Sequence, residues 1–340
     1  MQFSTLITIR LCIVLAVCAA SLPSTAMSGR PDYGNHDKAR AFIDDMVEQH
    51  AFEREKLQAI FSKAERRDDI LELMSKPAEK RLRWFEYRKI FLTSSRISGG
   101  VTFWNKHADI LARASETFGV DPQIVVAIIG VETRYGGNTG RHRVLDALST
   151  LAFDYPPRSK FFTGELEHFL LLAREEDIDL LKTTGSYAGA MGYGQFIPSS
   201  YRDYAVDFSE DGKRDLWNSP QDIIGSVANY FRRHGWKTGA PVVARANVTG
   251  NDFEPVLALG YKPNTVLDAL RHDGITPVEA HPDNLVASLI EFEQKDGPEY
   301  WLGFNNFYTI TRYNHSPLYA MAVYQLSEEI RAAYEAQRDD

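Results

Sequence analysis

Past residue 18 the chain has no cysteine: Cys12 and Cys18 are its only two, and both lie in an apolar N-terminal stretch. A chain cut after that stretch has no thiol nucleophile and no disulfide, so its fold must rest on its core. Long hydrophobic runs are also scarce. The stretch from Leu11 to Leu22 is shorter than the roughly 20 residues of a spanning helix, and no later segment is long and apolar enough to be one. The His-Glu-x-x-His zinc signature, the Gly-x-Ser-x-Gly elbow and the dinucleotide fingerprint are all missing, which removes support from metalloprotease, serine-hydrolase and redox readings. No Lys/Arg cluster with interleaved aromatics is present and the formal net charge is −8, so a nucleic-acid partner is disfavoured.

What is present is enough for a sizeable core: 340 residues, 44% hydrophobic and 12% aromatic, suited to one large domain or two to three smaller ones. Arg10 precedes the N-terminal apolar stretch, and "STA" ending at Ala26 follows the small-x-small rule, so residues 1–26 read as a signal peptide for export. An uncleaved short anchor is the alternative. "LAVC", ending at Cys18, loosely resembles a lipoprotein cleavage site, with Val17 where Gly or Ala is usual. Lipid attachment at Cys18 stands beside release after Ala26.

From Asp37 to about Thr117, apolar residues recur at helical spacing in "ARAFIDDMVEQHAFEREKLQAIFSKA" and in "WNKHADILARASETFGV", predicting three or four helices. More helices with Gly-rich joints follow to Trp236. From Lys237 to Asn305 the texture turns to short β-capable pieces, "PVVARANV", "NLVASLIEFE" and "EYWLGF", which read as a small β-containing insert. Ser316 and Pro317 then open a closing helix.

Four constellations carry chemistry. In "VDPQIVVAIIGVETRYGG", Asp121 suits an N-cap and Pro122 the first helical position, so a helix is expected from Pro122 to about Tyr135, ended by Gly136 and Gly137. Glu132 falls in its last turn, where the helix dipole and apolar neighbours disfavour the ionised form, and a raised pKa is expected. The competing reading is a surface glutamate paired with Arg134 or Arg141. The second is "GSYAGAMGYGQFIPSSY", Gly185 to Tyr201, with four glycines, two alanines and no charge. Its backbone can approach a ligand closely while Ser186, Tyr193 and Gln195 offer neutral hydrogen bonds, as suits a carbohydrate; an ordinary tight loop is the alternative. The third, "DFSEDGKRDLWNS", places Asp207, Ser209 and Asp211 at positions one, three and five of a calcium loop, Gly212 at six and the Lys213 carbonyl at seven. Position twelve is Asn218 instead of Glu, so Asp222 at the start of the next helix is the candidate to complete the shell, unless it only caps that helix. The fourth is a set of polar aromatics and an amide, Tyr230, Tyr313, Asn314 and Tyr319, of the kind that lines saccharide clefts and of the kind that fills cores.

With these residues in view, the chain closely resembles the membrane-bound lytic murein transglycosylase B family of Gram-negative bacteria. The resemblance rests on "GVETRYG", "YPPRSKFFTGELEHFLLLAR", "GSYAGAMGYGQFIPSSY", "DGKRDLW", "GSVANYFRRHGW" and "ITRYNHSPLYAMAV" in this order, and covers nearly all of the exported chain. It implies a mainly α (α+β) fold: a helical domain over 27–118 completed by the C-terminal helix at about 316–340, a lysozyme-like catalytic core over 119–236 carrying an EF-hand-like loop, a small β domain over 237–305, and a cleft-lining segment with the closing helix over 306–340. It implies a lyase that cleaves the β-1,4 bond between N-acetylmuramic acid and N-acetylglucosamine without water, leaving 1,6-anhydromuramic ends, with Glu132 as single acid and base and no catalytic cofactor. By the same resemblance Ser186 orients the substrate N-acetyl group, and Gln195, Tyr87, Tyr230, Tyr313, Asn314 and Tyr319 match sugar-subsite positions. A structural calcium ion is expected at Asp207, Ser209, Asp211, Lys213 and Asp222. Phe161 stands where the family commonly has Tyr. The implied partners are peptidoglycan glycan strands, with cell-wall synthesis or remodelling proteins as candidate recruiters. The implied location is the periplasm, attached to the outer membrane if Cys18 is lipidated. A hydrolytic muramidase on the same fold and a non-catalytic peptidoglycan-binding protein are the rival readings.

Overall fold

The computed structural model of the chain describes residues 30–31, 33–75 and 82–339. The expected signal peptide, with Cys12 and Cys18, lies outside them. The first strand is β1 (Arg30–Pro31), followed by α1 (Asp37–His50), α2 (Arg54–Phe61), β2 (Glu65–Arg66) and α3 (Asp68–Ser75). Next come α4 (Trp84–Phe91), α5 (Ser94–Lys106), α6 (Ala108–Phe118) and α7 (Pro122–Thr133). Then follow β3 (His142–Arg143), α8 (Val144–Asp154), α9 (Ser159–Glu176), β4 (Thr184–Gly185), α10 (Pro198–Tyr204) and α11 (Pro220–Arg233). The last third holds β5 (Val243–Val248), α12 (Glu254–Ala258), β6 (Thr265–Val266), α13 (Leu267–His272), β7 (Ile275–Pro277), β8 (Val286–Gln294) and β9 (Gly297–Gly303). It closes with α14 (Asn305–Tyr313) and α15 (Pro317–Asp339).

The segment expected to hold three or four helices holds six, α1 to α6. Ala51 ends α1 in the left-handed region at φ 55°, and His107, at φ −125° and ψ 26°, splits one expected helix into α5 and α6. A single-residue break leaves the apolar spacing nearly in phase, so periodicity does not register it.

The chain forms two compact units, divided inside α7 between Ala127 and Ile128 and inside α11 between Tyr230 and Phe231. Helices α1 to α3 belong to the unit with residues 128–230, whereas α4 to α6 belong to the unit with residues 231–339. The stretch 27–118, read from sequence as one helical domain, is therefore shared between them.

In the first unit α8 is buried at every position from Val144 to Phe153. Its polar side chains bind backbone that would otherwise be orphaned: Asp146 Oδ1 accepts the Glu65 N–H at 2.9 Å and Thr150 Oγ1 accepts the Arg67 N–H at 3.0 Å. Phe153 packs against Phe42 and Phe61. Helix α9 lies along α8, burying Phe162, Leu166, Phe169 and Leu170. Its buried Glu165 accepts the Ser199 N–H at 3.0 Å and the Ser199 hydroxyl at 2.7 Å, which holds α10 in place. Burial is the main influence on the Glu165 carboxyl and pushes its pKa up, against the lowering effect of those bonds.

The second unit contains an antiparallel sheet in the order β6-β8-β9-β5-β7. One side of it packs Leu289 and Leu302 on Leu267, Leu270 and Ile275. Helix α15 packs on α5, with Trp104 and Tyr334 stacked at 4.3 Å. Among the described residues no single helix is long and apolar enough to cross a membrane.

Leu170 is fully buried, and Leu170→Ala is expected to cost about 2–5 kcal/mol of stability. A denaturant titration reads this as a lower midpoint at unchanged slope, and an unmoved midpoint would contradict close packing between α8 and α9.

Candidate active site

Helix α7 is apolar on all sides, with Val125, Val126, Ala127, Ile128, Ile129 and Val131 all buried, and Glu132 is its one carboxylate. At 7% exposure Glu132 is not the surface glutamate of the alternative reading. The helix ends at Thr133, short of the expected Tyr135, because Arg134 and Tyr135 both take left-handed conformations, at φ 52° and 60°. Thr133 joins this end to the Gly-rich loop. Its Oγ1 lies 2.9 Å from the Tyr193 carbonyl and 3.2 Å from the Ile129 carbonyl, sharing one proton between them, and accepts the Gly136 N–H at 3.1 Å. Gly136, at φ +88°, has no room for a side chain: a Cβ there would sit 2.0 Å from the Tyr193 ring.

The Gly-rich loop is a built structure. Met191 and Phe196 exchange backbone hydrogen bonds at 2.9 and 3.0 Å, and β4 pairs with β3, His142 opposite Gly185. Ser186 Oγ accepts the Ala190 and Ala188 N–H groups at 3.0 and 3.3 Å. With its acceptor side engaged, the hydroxyl proton remains for donation outward. Gln195, held at φ 51°, donates through Nε2 to the Gly192 carbonyl at 2.9 Å and the Thr139 carbonyl at 3.2 Å, which leaves its Oε1 as an acceptor. Tyr230 packs against Phe196 and Tyr204 at 5.7 and 5.0 Å. Glu132, Ser186, Gln195 and Tyr230 thus belong to one unit.

Tyr87, Tyr313, Asn314 and Tyr319 belong to the other. All four are less than a tenth exposed, as is Tyr230, and Tyr319 and Tyr87 are buried almost completely, so none of them offers an open stacking face. Tyr87 packs on Phe91 at 5.2 Å, and Tyr313 stacks on Phe231 at 5.7 Å. Asn314 Nδ2 is buried with no hydrogen-bond partner among the described residues, a costly state for an amide. Phe161, the departure from the family pattern, lies 4.3 Å beneath the Arg158 guanidinium.

In the loop after α10, Asp207, Asp211 and Asp222 bring carboxylate oxygens within 4.8 Å of one another. Gly212, the sixth residue, takes the φ of +89° that the turn needs. The hydroxyl at the start of α11 that accepts a backbone N–H is that of Ser219, from Asp222 at 3.3 Å, and the Asp222 carboxylate is turned elsewhere. It reaches back across the loop to accept the N–H groups of Phe208 and Ser209, both at 2.8 Å, and of Asp215 at 3.0 Å. Ser209 Oγ donates to Asp207 Oδ1 at 3.2 Å and the Lys213 N–H to Asp211 Oδ1 at 3.0 Å. Carboxylates keep further lone pairs beside these bonds, so an all-oxygen set of this kind fits a hard divalent cation such as calcium. Desolvation acts upward on the Asp207 carboxyl, but the N–H groups of Gly212 and Asp211 and the Ser209 hydroxyl outweigh it, and the carboxyl titrates below its ordinary range.

Two residues that hold this site were not singled out from sequence, Thr133 and Asp215. Thr133 had a usable signal, a hydroxyl directly after the acid at a helix end, whereas nothing local marks Asp215.

Gly136→Ala is expected to destabilise the protein by about 1–3 kcal/mol, from left-handed strain and the displaced Tyr193 ring; an unchanged melting curve would contradict the close contact. Chelation of calcium is expected to lower the melting temperature, in proportion to the lost binding free energy. That difference should be present at neutral pH and shrink in acid, since a carboxylate must be deprotonated to hold the ion. Coincident melting curves with and without chelator at neutral pH would exclude a structural ion.

The family model described as the transglycosylase SLT domain matches residues 34–328. Membrane-bound lytic murein transglycosylase B of Escherichia coli (strain K12) is 49% identical over 311 residues, 89% of this chain and 85% of that protein. The structure resembles catenated lytic transglycosylase SltB1 from Pseudomonas aeruginosa, with TM-score 0.85 and 50% identity, covering 89% of this chain and 100% of that one. It also resembles the Escherichia coli lytic transglycosylase SLT35 in complex with calcium, with TM-score 0.82 and 49% identity, covering 89% and 96% of the two chains. On a lysozyme-like, mainly helical fold and a family match that runs through the segments of Glu132, the Gly-rich loop and the acidic loop, the chain belongs to the transglycosylase SLT family.

Proposed function

We propose that the protein is a peptidoglycan lytic transglycosylase in which Glu132 is the single general acid and base. The observation that carries this is a buried carboxyl, 7% exposed, fixed at the end of an apolar helix and tied through Thr133 to a loop with no charged residue. General-acid work needs a positioned carboxyl that can give up a proton to the leaving oxygen, and this one is held in place away from bulk water. Glu132 gives its proton to the glycosidic oxygen as the bond from the muramyl C1 breaks. The resulting carboxylate takes the proton of the muramyl C6 hydroxyl as that oxygen bonds to C1. The products are a free N-acetylglucosamine hydroxyl and a 1,6-anhydromuramic end, and no water is consumed. An ordinary glycosidase needs a second carboxyl group for the cationic centre; here the substrate's own acetamido oxygen serves, with the Ser186 hydroxyl positioned to orient it.

Gln195 Oε1 and the hydroxyl of Tyr230, on the same unit as Glu132, are assigned sugar contacts, and Tyr87, Tyr313, Tyr319 and Asn314 carry the same assignment from the family resemblance alone. Phe161, where the family commonly has Tyr, has no hydroxyl to offer a sugar, a departure that bears on at least one sugar contact and leaves the chemistry intact. The Asp207, Ser209, Asp211, Lys213 and Asp222 loop is assigned a structural calcium ion, which takes no part in the reaction. Residues 1–26 direct export to the periplasm, and Cys18 is the candidate lipid site.

Muropeptides released from purified sacculi, weighed by mass spectrometry, are expected to carry ends one water lighter than hydrolytic products. Glu132→Gln is expected to slow release by roughly a hundred- to ten-thousand-fold. Hydrated reducing ends would make the protein a muramidase, and full activity in the variant would remove Glu132 from the mechanism.

A further inference from the structure

A cavity of about 480 Å³ opens between the end of α9, the β4 strand and the second half of the acidic loop. Its volume falls within the roughly 300–1,000 Å³ typical of small-molecule sites, yet its lining includes none of Glu132, Ser186, Gln195 or Tyr230. We propose that it is a second saccharide site, which holds a length of glycan while Glu132 acts elsewhere on the strand or on its neighbour. The proposal rests on the glycan reading above.

Three features select a saccharide. The half-buried indole of Trp217 forms part of the wall, and an aromatic face binds the apolar face of a pyranose. The wall that carries it is set in advance: Asp222 holds the Asp215 N–H, and Asp215 in turn accepts the N–H groups of Trp217 and Asn218 at 2.8 and 2.9 Å and the Asn218 Nδ2 at 2.9 Å. The Asn218 side chain is thereby oriented with its carbonyl oxygen left to accept from a sugar hydroxyl, a contact that needs little further ordering. Lastly, the lining has three cations and three carboxylates, and the pairs Lys182–Asp179 and Arg214–Glu176 are already formed. With two of its cations already paired, with Asp215 taken up by N–H groups and with its uncharged polar groups oriented, the wall favours a neutral polyhydroxyl ligand over an ionic one.

Co-sedimentation of the full chain with purified sacculi and with peptide-stripped glycan strands tests this, alongside turnover of short soluble muropeptides that span only the catalytic position. Trp217→Ala is expected to weaken binding to both polymers by roughly three- to tenfold, with kcat on the short substrate unchanged. Asn218→Ala, at an exposed position, is expected to weaken binding less and in the same direction, and it decides the matter if the tryptophan variant fails to fold. Wild-type binding by the folded variants overturns the proposal and leaves the Glu132 mechanism untouched. Weaker binding to sacculi with unchanged binding to stripped strands gives the cavity to the stem peptide and also overturns it. Glu132→Gln serves as the separate control: it is expected to bind both polymers fully and release nothing, and release by that variant overturns the mechanism without bearing on the cavity.

Discussion

The hydroxyl of Thr133 accepts a hydrogen bond from Gly136 and lies 2.9 Å from the carbonyl of Tyr193. It thus fixes in one place the end of an apolar helix and a glycine-rich loop sixty residues further along the chain. A helix terminus carries carbonyls and amides that need partners, and here one side chain supplies part of that need while setting where the preceding residue, Glu132, stands. The close approaches around it depend on this anchor. Gly136 admits the Tyr193 ring only because it has no Cβ, and Gly130 likewise admits the Tyr135 hydroxyl.

Around that junction neutral side chains and carboxylates engage the backbone in different ways. Ser186 and Gln195 each have one polar side engaged by backbone and one left outward. The carboxylates of Asp146, Glu165 and Asp222 instead face inward to backbone N–H groups. Buried carboxylates are stable only when satisfied in this way, and each of these three joins segments distant in sequence. This separation explains how an acidic protein keeps the Gly-rich loop free of charge while its buried carboxylates stay satisfied.

Much of this was legible in the sequence. Asp121, Pro122 and the run of aliphatics marked α7 and placed Glu132 in its last turn. The calcium-loop spacing marked Asp207 and Asp211, and three β-capable pieces mark the main strands of the sheet. The rest escaped for physical reasons. The one-residue break at His107 does not disturb an apolar period, so α5 and α6 read as one helix. The early stop of α7 depends on left-handed Arg134 and Tyr135, residues that rarely adopt that conformation. The division of the chain into units depends on long-range packing that no local pattern records. Whether a tyrosine such as Tyr319 is core or ligand contact is likewise invisible to spacing, since both uses favour the same residue.

The polar face of α8 also bears on how the chain comes to be folded. The Glu65 and Arg67 amides find their partners on Asp146 and Thr150, 81 and 83 residues later, and Phe42 and Phe61 find theirs on Phe153. Helices α1 to α3 consequently have no complete core of their own. A chain that emerges from a pore with its N-terminus first must hold these helices open until α8 arrives, with the closure entropy of a long loop still to be met. Collapse of this unit is therefore a late, concerted event, and during the wait the exposed aromatic faces of α1 and α2 are where the emerging chain is most exposed to aggregation.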